Sequence, residues 1–417
     1  MLKNYLKIAL RHLLKHKSYA LIKLAGLTIG IASCILVFIY ISHEFSYDQF
    51  HKNTDQIYRV ITNYKMFGID STANSPTPLA PAFVNDFPEV VTAVRISGGG
   101  SGKKAIKYGY QEFNEKRFYF ADPSIFDVFT FPLLKGDQKT ALEKPYSIVI
   151  TEEMAHKYFG DQDPIGKILT CDNKHDFMVT GILKNIPSNS HFKCDFIASI
   201  NCDNELNGTG GLEDWGQISV WTYILLNKNS SAELLEKKFP DFLKKYYGHV
   251  VEEDGGNWEN SFLQGFKLQP LSRIHLHSHL RSEFGQNSNP KIIWFYSISA
   301  FLILLVASIN FTNLSTARSF TRAREIGIRK VLGANRKQLI KQFLSESVLL
   351  SCLSLPIAIF LVKLFLPYFK VLVDQDIVID YSNYYYIILS LTAITIIVGV
   401  VSGIFYRQIS AGKSTYR

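Results

Sequence analysis

The sequence predicts a membrane protein with four transmembrane α-helices and a large α+β extracytoplasmic domain inserted between spans 1 and 2. Three observations carry this. Apolar runs at 19–41, 292–316, 348–367 and 384–406 are each long enough for a bilayer, which takes about 20 helical residues. Residues 43–290 between the first two runs are polar on average and mix strand-like with helix-like patterns. Basic residues flank the spans on one side only, and that side faces the cytoplasm.

The whole-chain figures agree. A 417-residue chain with 47% hydrophobic residues and a mean hydropathy of +0.06 lies between soluble and fully embedded classes. The net charge of +9 gathers beside the spans, so it reads as an orienting charge and argues against nucleic acid as partner.

Residues 1–17 set Lys3, Lys7, Arg11 and Lys15 four apart on one helical face, with leucines on the rest. This is the pattern of an amphipathic helix on the cytoplasmic lipid surface. The first span, 19–41, carries Lys23 near its inner end, placed to snorkel, and a GxxxG at Gly26 and Gly30. Such a motif clears one helix stripe for close approach of another helix. The preceding basic residues, with no acid among them, put the N-terminus inside and residue 43 outside.

Within 43–290, QIYRVIT, SIVIT, GKILT and FMVTGIL are β-branched runs that predict strands. Residues 79–87 and 152–159 predict helices, the second with Thr151 as N-cap and an acidic first turn. Residues 98–102 and 204–211 are expected loops, and a lobe boundary falls near 200–215. Beyond the second span, Pro356 is expected to kink the third by removing a hydrogen bond. Residues 368–383 form a short outer loop, the fourth span carries a second GxxxG at Gly399 and Gly403, and 407–417 is an inner tail.

Residues 317–347 interrupt the apolar pattern. Arg318, Arg322, Arg324, Arg329, Lys330, Arg336, Lys337 and Lys341 stand against Glu325 and Glu346 alone. One such cation at bilayer depth costs about 2.5–3.5 kcal/mol, so the stretch must lie in water. Apolar residues recur at helical spacing, and Gly333 followed by Asn335 marks a helix end and a new N-cap. Two helices meeting at a tight turn are expected. Charge alone leaves two readings open: a surface on which an outside motor pushes, or an anchor on lipid headgroups.

Chemical signatures are sparse. SAGKST at 410–415 resembles the end of a phosphate-binding loop, but Arg407 stands where the first glycine is needed. His275, His277 and His279 would share one face of a strand, either as a zinc or copper site or as a half-exposed strand leading back to the membrane; the second reading is preferred and no metal is assigned. Cys34 and Cys352 fall in spans, and Cys171, Cys194 and Cys202 leave one internal disulfide open. No catalytic constellation stands out among the scattered histidines, so no enzyme activity and no cofactor are expected.

EIGIRKVLGANRKQLIKQFLSES resembles the coupling loop of MacB/FtsX-type permeases of ABC transport systems. LKIALRHLLKHKSYALIKLAGLTIGIA, HEFSYDQFHKNTDQIYRV, ADPSIFDVFTFPLLKGD, ITEEMAHKYFGDQDPIGK and INFTNLSTARS follow in that family's order, so the resemblance spans nearly the whole chain. It implies that 43–290 is a MacB-like periplasmic core domain and that the protein sits in the bacterial inner membrane with both termini cytoplasmic. It further implies that Glu325, Gly327, Arg329, Lys330 and Gly333 dock on a separate cytoplasmic ABC ATPase. Export of an antimicrobial, peptide or lipid-like substrate by mechanotransmission, without a wide pore, is the function this implies. An FtsX-like regulator or sensor that activates a periplasmic partner is the alternative. The resemblance also implies a second permease copy or a missing second half, and a periplasmic adaptor or envelope protein as further partner.

Overall fold

The computed structural model describes residues 17–65, 68–98, 103–202, 214–253, 255–317, 336–373 and 377. The chain divides into two compact units, Met1–Phe45 with Pro290–Arg417, and Ser46–Asn289. Helix α1 (Lys17–Phe45) belongs to the first.

The second unit opens with β1 (Ile57–Lys65), β2 (Ile69–Thr72) and β3 (Ser75–Pro76), then α2 (Leu79–Asp86) and β4 (Val90–Gly98). A hairpin of β5 (Lys104–Tyr108) and β6 (Gln111–Glu115) leads to β7 (Phe118–Ala121), α3 (Ile125–Val128) and β8 (Leu133–Lys135). Next come β9 (Ser147–Thr151), α4 (Glu152–Phe159), β10 (Ile168–Cys171), β11 (His175–Leu183) and β12 (Phe196–Ser199). The unit closes with β13 (Ile218–Leu226), α5 (Ala232–Glu236), α6 (Phe239–Glu253), β14 (Leu263–Pro270) and α7 (Ile274–His277).

All the described strands join one sheet, ordered β14-β1-β13-β4-β7-β12-β9-β11-β10-β5-β6, with β2, β3 and β8 attached to β1, β13 and β11. Pairs β9–β11 and β7–β12 are parallel and the rest antiparallel. The strand-like runs read from the sequence become β1, β9, β10 and β11. SIVIT is buried along its whole length because it is central and covered on both faces.

Three apolar clusters fill the unit. Phe83 of α2 meets Phe87, Phe239, Phe242 and Phe266 at ring separations of 4.9 to 6.1 Å, tying α2 and α6 to β14. A second cluster packs α4 on β9 to β12 through Met154, Tyr158 and Phe159. The N-cap of α4 forms as the sequence predicts, Thr151 accepting from the Met154 amide at 3.4 Å. Between the two lies a centre that includes Phe129, Phe192 and Tyr223. Gly136 holds φ +95, and a Cβ there would lie 2.5 Å from the Thr180 carbonyl oxygen, so only glycine fits this turn beside β11.

The first unit contains α1, α8 (Pro290–Ala317) and α9 (Arg336–Val373). Ala20–Phe45, Pro290–Leu314 and Val348–Val373 are each long and apolar enough to cross a membrane. Leu27, Ile31, Ile35, Phe311, Leu350 and Ala358 are buried between the helices, while Trp294, Phe295, Phe301 and Phe360 point outward. Helix α9 continues to Val373, beyond the span end expected at 367: Phe365–Val373 is apolar apart from Pro367 and Lys370, and Pro367 does not end the helix. Pro356 also lies inside this helix. Lys23, expected to snorkel, is buried instead, its ammonium 5.2 Å over the Phe311 ring. The amphipathic segment 1–16, most of the coupling stretch and the fourth apolar run lie outside the described residues.

Candidate functional site

Glu325, Gly327, Arg329, Lys330 and Gly333 lie outside the described residues, as do Gly399 and Gly403. Gly26 and Gly30 are described, and they face α8. A Cβ on Gly30 would lie 2.7 Å from the Ala307 Cβ, and one on Gly26 would lie 3.5 Å from the Asn310 side-chain nitrogen. Helices α1 and α8 therefore approach to a distance that only a small residue permits.

The described residues with the densest polar chemistry sit where the chain enters and leaves the second unit. The entry stretch, 46–56, follows α1, and the exit stretch, 271–289, precedes α8.

The entry stretch turns on Asp48, a fully buried residue with φ 59. Its backbone amide donates to the Asn189 carbonyl at 2.9 Å, and its carboxylate accepts from the His191 amide at 3.1 Å and the Ser190 hydroxyl at 3.2 Å. His191 Nδ1 lies 2.9 Å from the same carboxylate, and His191 Nε2 lies 2.7 Å from the Tyr223 hydroxyl. The Nδ1 contact is an ion-pair approach to Asp48, and Nε2 shares a hydrogen bond with the Tyr223 hydroxyl whose direction follows the tautomer. Burial opposes ionisation of Asp48, yet His191 and His51 hold its carboxyl below the ordinary value.

His51 lies among Phe50, Phe129 and Phe131, with Nδ1 accepting from the Thr130 amide at 3.0 Å. Burial pushes this imidazole down to about 4, against the pull of Asp48. Burial likewise raises the Tyr223 hydroxyl. Asp48, His191 and Tyr223 thus form a closed relay, with Ser190 bonded to the carboxylate rather than to an imidazole. The relay fastens the entry stretch to the sheet.

The exit stretch turns on Arg59 of β1, whose side chain is 0% exposed. Its Nη1 lies 2.5 Å from Glu283, and its Nη2 donates to Gln269 at 2.6 Å, Ser278 at 2.8 Å and Glu283 at 2.9 Å. Burial opposes ionisation of Glu283, but Arg59, Ser278 and the Leu280 amide hold the carboxyl below its ordinary value. Trp221 then stacks on Phe284 at 3.9 Å and donates its indole N–H to the Ser282 carbonyl at 2.6 Å. The two stretches meet where the Tyr47 and His275 rings stack at 3.3 Å, tilted by 2°.

This corrects the strand reading of RIHLHSHL. Ile274–His277 is a helical turn, α7, which points His275 into the interior against Tyr47 and leaves His277 exposed. Apolar Ile274 and Leu276 are buried there beside His275, which a two-residue alternation does not allow. Among the described residues no His, Cys, Asp or Glu group is arranged to hold a metal ion. Cys171, Cys194 and Cys202 are buried free thiols, and burial pushes Cys171 up to about 12.

Sequence reading missed both networks. Asp48 and His191 are 143 positions apart, and Arg59 and Glu283 are 224 apart. The one local signal was the polar HEFSYDQFH run directly after an apolar span.

Residues 20–241 match the MacB-like periplasmic core domain, which is more than half of the chain, and 297–411 match the FtsX-like permease C-terminal region. The pyoverdine export ATP-binding/permease protein PvdT of Pseudomonas syringae pv. syringae is 23% identical over 359 residues, covering 79% of this chain and 46% of that protein. The macrolide export ATP-binding/permease protein MacB of Aggregatibacter actinomycetemcomitans is 22% identical over 355 residues, covering 82% and 50%. The chain thus spans about half the length of the curated relatives it matches. Among solved structures, a permease-protein domain from Porphyromonas gingivalis aligns with a TM-score of 0.45 and 20% identity, over 58% of this chain and 98% of that domain.

Proposed function

Starting from a chain that belongs to the family of permeases with a MacB-like periplasmic core domain and an FtsX-like C-terminal region, we propose that it couples ATP hydrolysis by a separate cytoplasmic ABC ATPase to movement of its outer unit. The relatives' names join ATP binding and permease in one protein, whereas in this chain the one GK[ST] sequence has Arg407 in place of the loop's first glycine. In this proposal the ATP-hydrolysing part is a partner, as the resemblance to MacB/FtsX-type permeases implies.

The observation that carries this reading is the basic, helically patterned stretch 317–347, set in the chain directly between two apolar helices. In this proposal Arg329 and Lys330, with Glu325, Gly327 and Gly333 shaping the turn, dock on the ATPase, where opposite charge speeds encounter and fixes register. Closure of two ATPases on ATP then moves the helices, and the outer unit performs work on an exported compound or an envelope partner. The docking face is cytoplasmic and the outer unit periplasmic. A second copy of the permease, or a second half, completes the assembly.

The test is the Arg329→Glu/Lys330→Glu double variant, reconstituted with the ATPase that co-purifies with the wild-type chain. Stimulation of ATP hydrolysis should fall at least tenfold while membrane insertion stays intact. Unchanged stimulation overturns the docking assignment.

A further inference from the structure

We infer that the entry and exit stretches of the outer unit form one cooperative clasp with Arg59 as its pin, so that neither stretch releases from the sheet without the other. Arg59 follows the entry stretch on β1, yet its guanidinium is spent on the exit stretch, through Ser278 and Glu283, and on the neighbouring strand β14, through Gln269. The Tyr47–His275 stack closes the loop from the other side, and the Ser288 amide donates to the His275 carbonyl at 2.8 Å, drawing the end of the exit stretch onto the same point. Entry stretch, β1 and exit stretch thereby form a closed ring, joined along the chain between entry stretch and β1, through Arg59 between β1 and the exit stretch, and through the Tyr47–His275 stack back to the entry stretch.

Energetics point the same way. A largely buried Arg–Glu pair is often no more stabilising than apolar residues of similar volume, because both charges lose much of their hydration. What such a pair fixes is register: a planar guanidinium with several donors accepts one arrangement of its partners, whereas an apolar contact tolerates sliding. Arg59 is a positioning residue in this scheme, acting through the stretches it binds. The clasp does not depend on the transport reading above.

Native-state hydrogen exchange on the full chain in detergent, with urea below the unfolding range, tests the clasp without any ATPase. Amides in 46–54 and 278–289 should exchange through one opening event with one urea dependence; two separate openings overturn the inference in the wild-type protein itself. In the Arg59→Met/Glu283→Leu variant, which keeps apolar volume in the site, both stretches should exchange at least tenfold faster while α4 and β9 stay protected. Acceleration in the exit stretch alone, or in neither, also overturns it. If that variant fails to fold, the wild-type urea series decides.

Discussion

The two units of this chain are held together by different means. The outer unit buries aromatic clusters and charged networks behind a continuous sheet, and its Arg59, Asp48 and Tyr223 are as inaccessible as its phenylalanines. The helical unit relies on small residues and close backbone approach, with Gly30 against Ala307, and turns large apolar side chains such as Trp294, Phe301 and Phe360 outward. In water, burying a phenylalanine is itself a driving force. Between helices in lipid that force is absent, because the tails are as apolar as the side chains, and packing must supply the attraction. The same chain therefore stabilises one unit by what it hides and the other by how closely it fits.

Substitutions can break that contrast at either end. Phe83→Ala should have the largest effect, removing the ring around which Phe87, Phe239, Phe242 and Phe266 gather, at a cost of about 3–5 kcal/mol to the outer unit. Thermal unfolding should show that loss with the helical content of the first unit unchanged. Gly30→Leu, a gain of volume, should cost about 1–3 kcal/mol by forcing α1 away from α8. Hydrogen exchange should then rise in both helices and stay fixed in the sheet. A loss of protection in the outer unit would instead mean that the two units do not stabilise independently.

The smallest effect sharpens the comparison through pH. The unfolded chain takes up a proton on His51 from about pH 6.5 downward, whereas the folded imidazole stays neutral until about 4. Stability is full above pH 6.5 and is lost progressively as pH falls toward 4; Asp48, held below its ordinary value, adds a loss in the same direction at lower pH. Lowering the pH from 7.5 to 5.5 crosses about one unit of this window, worth at most about 1.4 kcal/mol. His51→Phe should flatten the profile of the outer unit's unfolding midpoint over that range, and an unchanged slope would remove His51 as its source.

How much of this was legible in the sequence follows from how far each signal reaches along the chain. The three described apolar runs were plain because about 20 consecutive residues must be predominantly apolar, and the strands SIVIT and FMVTGIL were plain because β-branching repeats locally. Thr151 before two glutamates announced α4 for the same reason. The short IHLH run misled, since four residues fit both a strand alternation and a helical turn, and the Ser278 amide donating to the Ile274 carbonyl at 3.1 Å makes it a turn. Lys23 misled because a span read alone offers lipid around it, whereas α8 brings Phe311 over its ammonium. The clasp was out of reach: nothing about Arg59 or Glu283 in isolation distinguishes them from solvated surface charges, and their pairing exists only once the exit stretch folds back across β1.

One feature of the sheet has a wider consequence. Its first and last long strands, β1 and β14, are antiparallel neighbours, with Tyr58 opposite Pro270 and Thr62 opposite Phe266. A module whose beginning and end lie side by side can be carried as a guest in a host chain, replaced by another of different shape, or lengthened at its far rim, with the host's continuity left untouched.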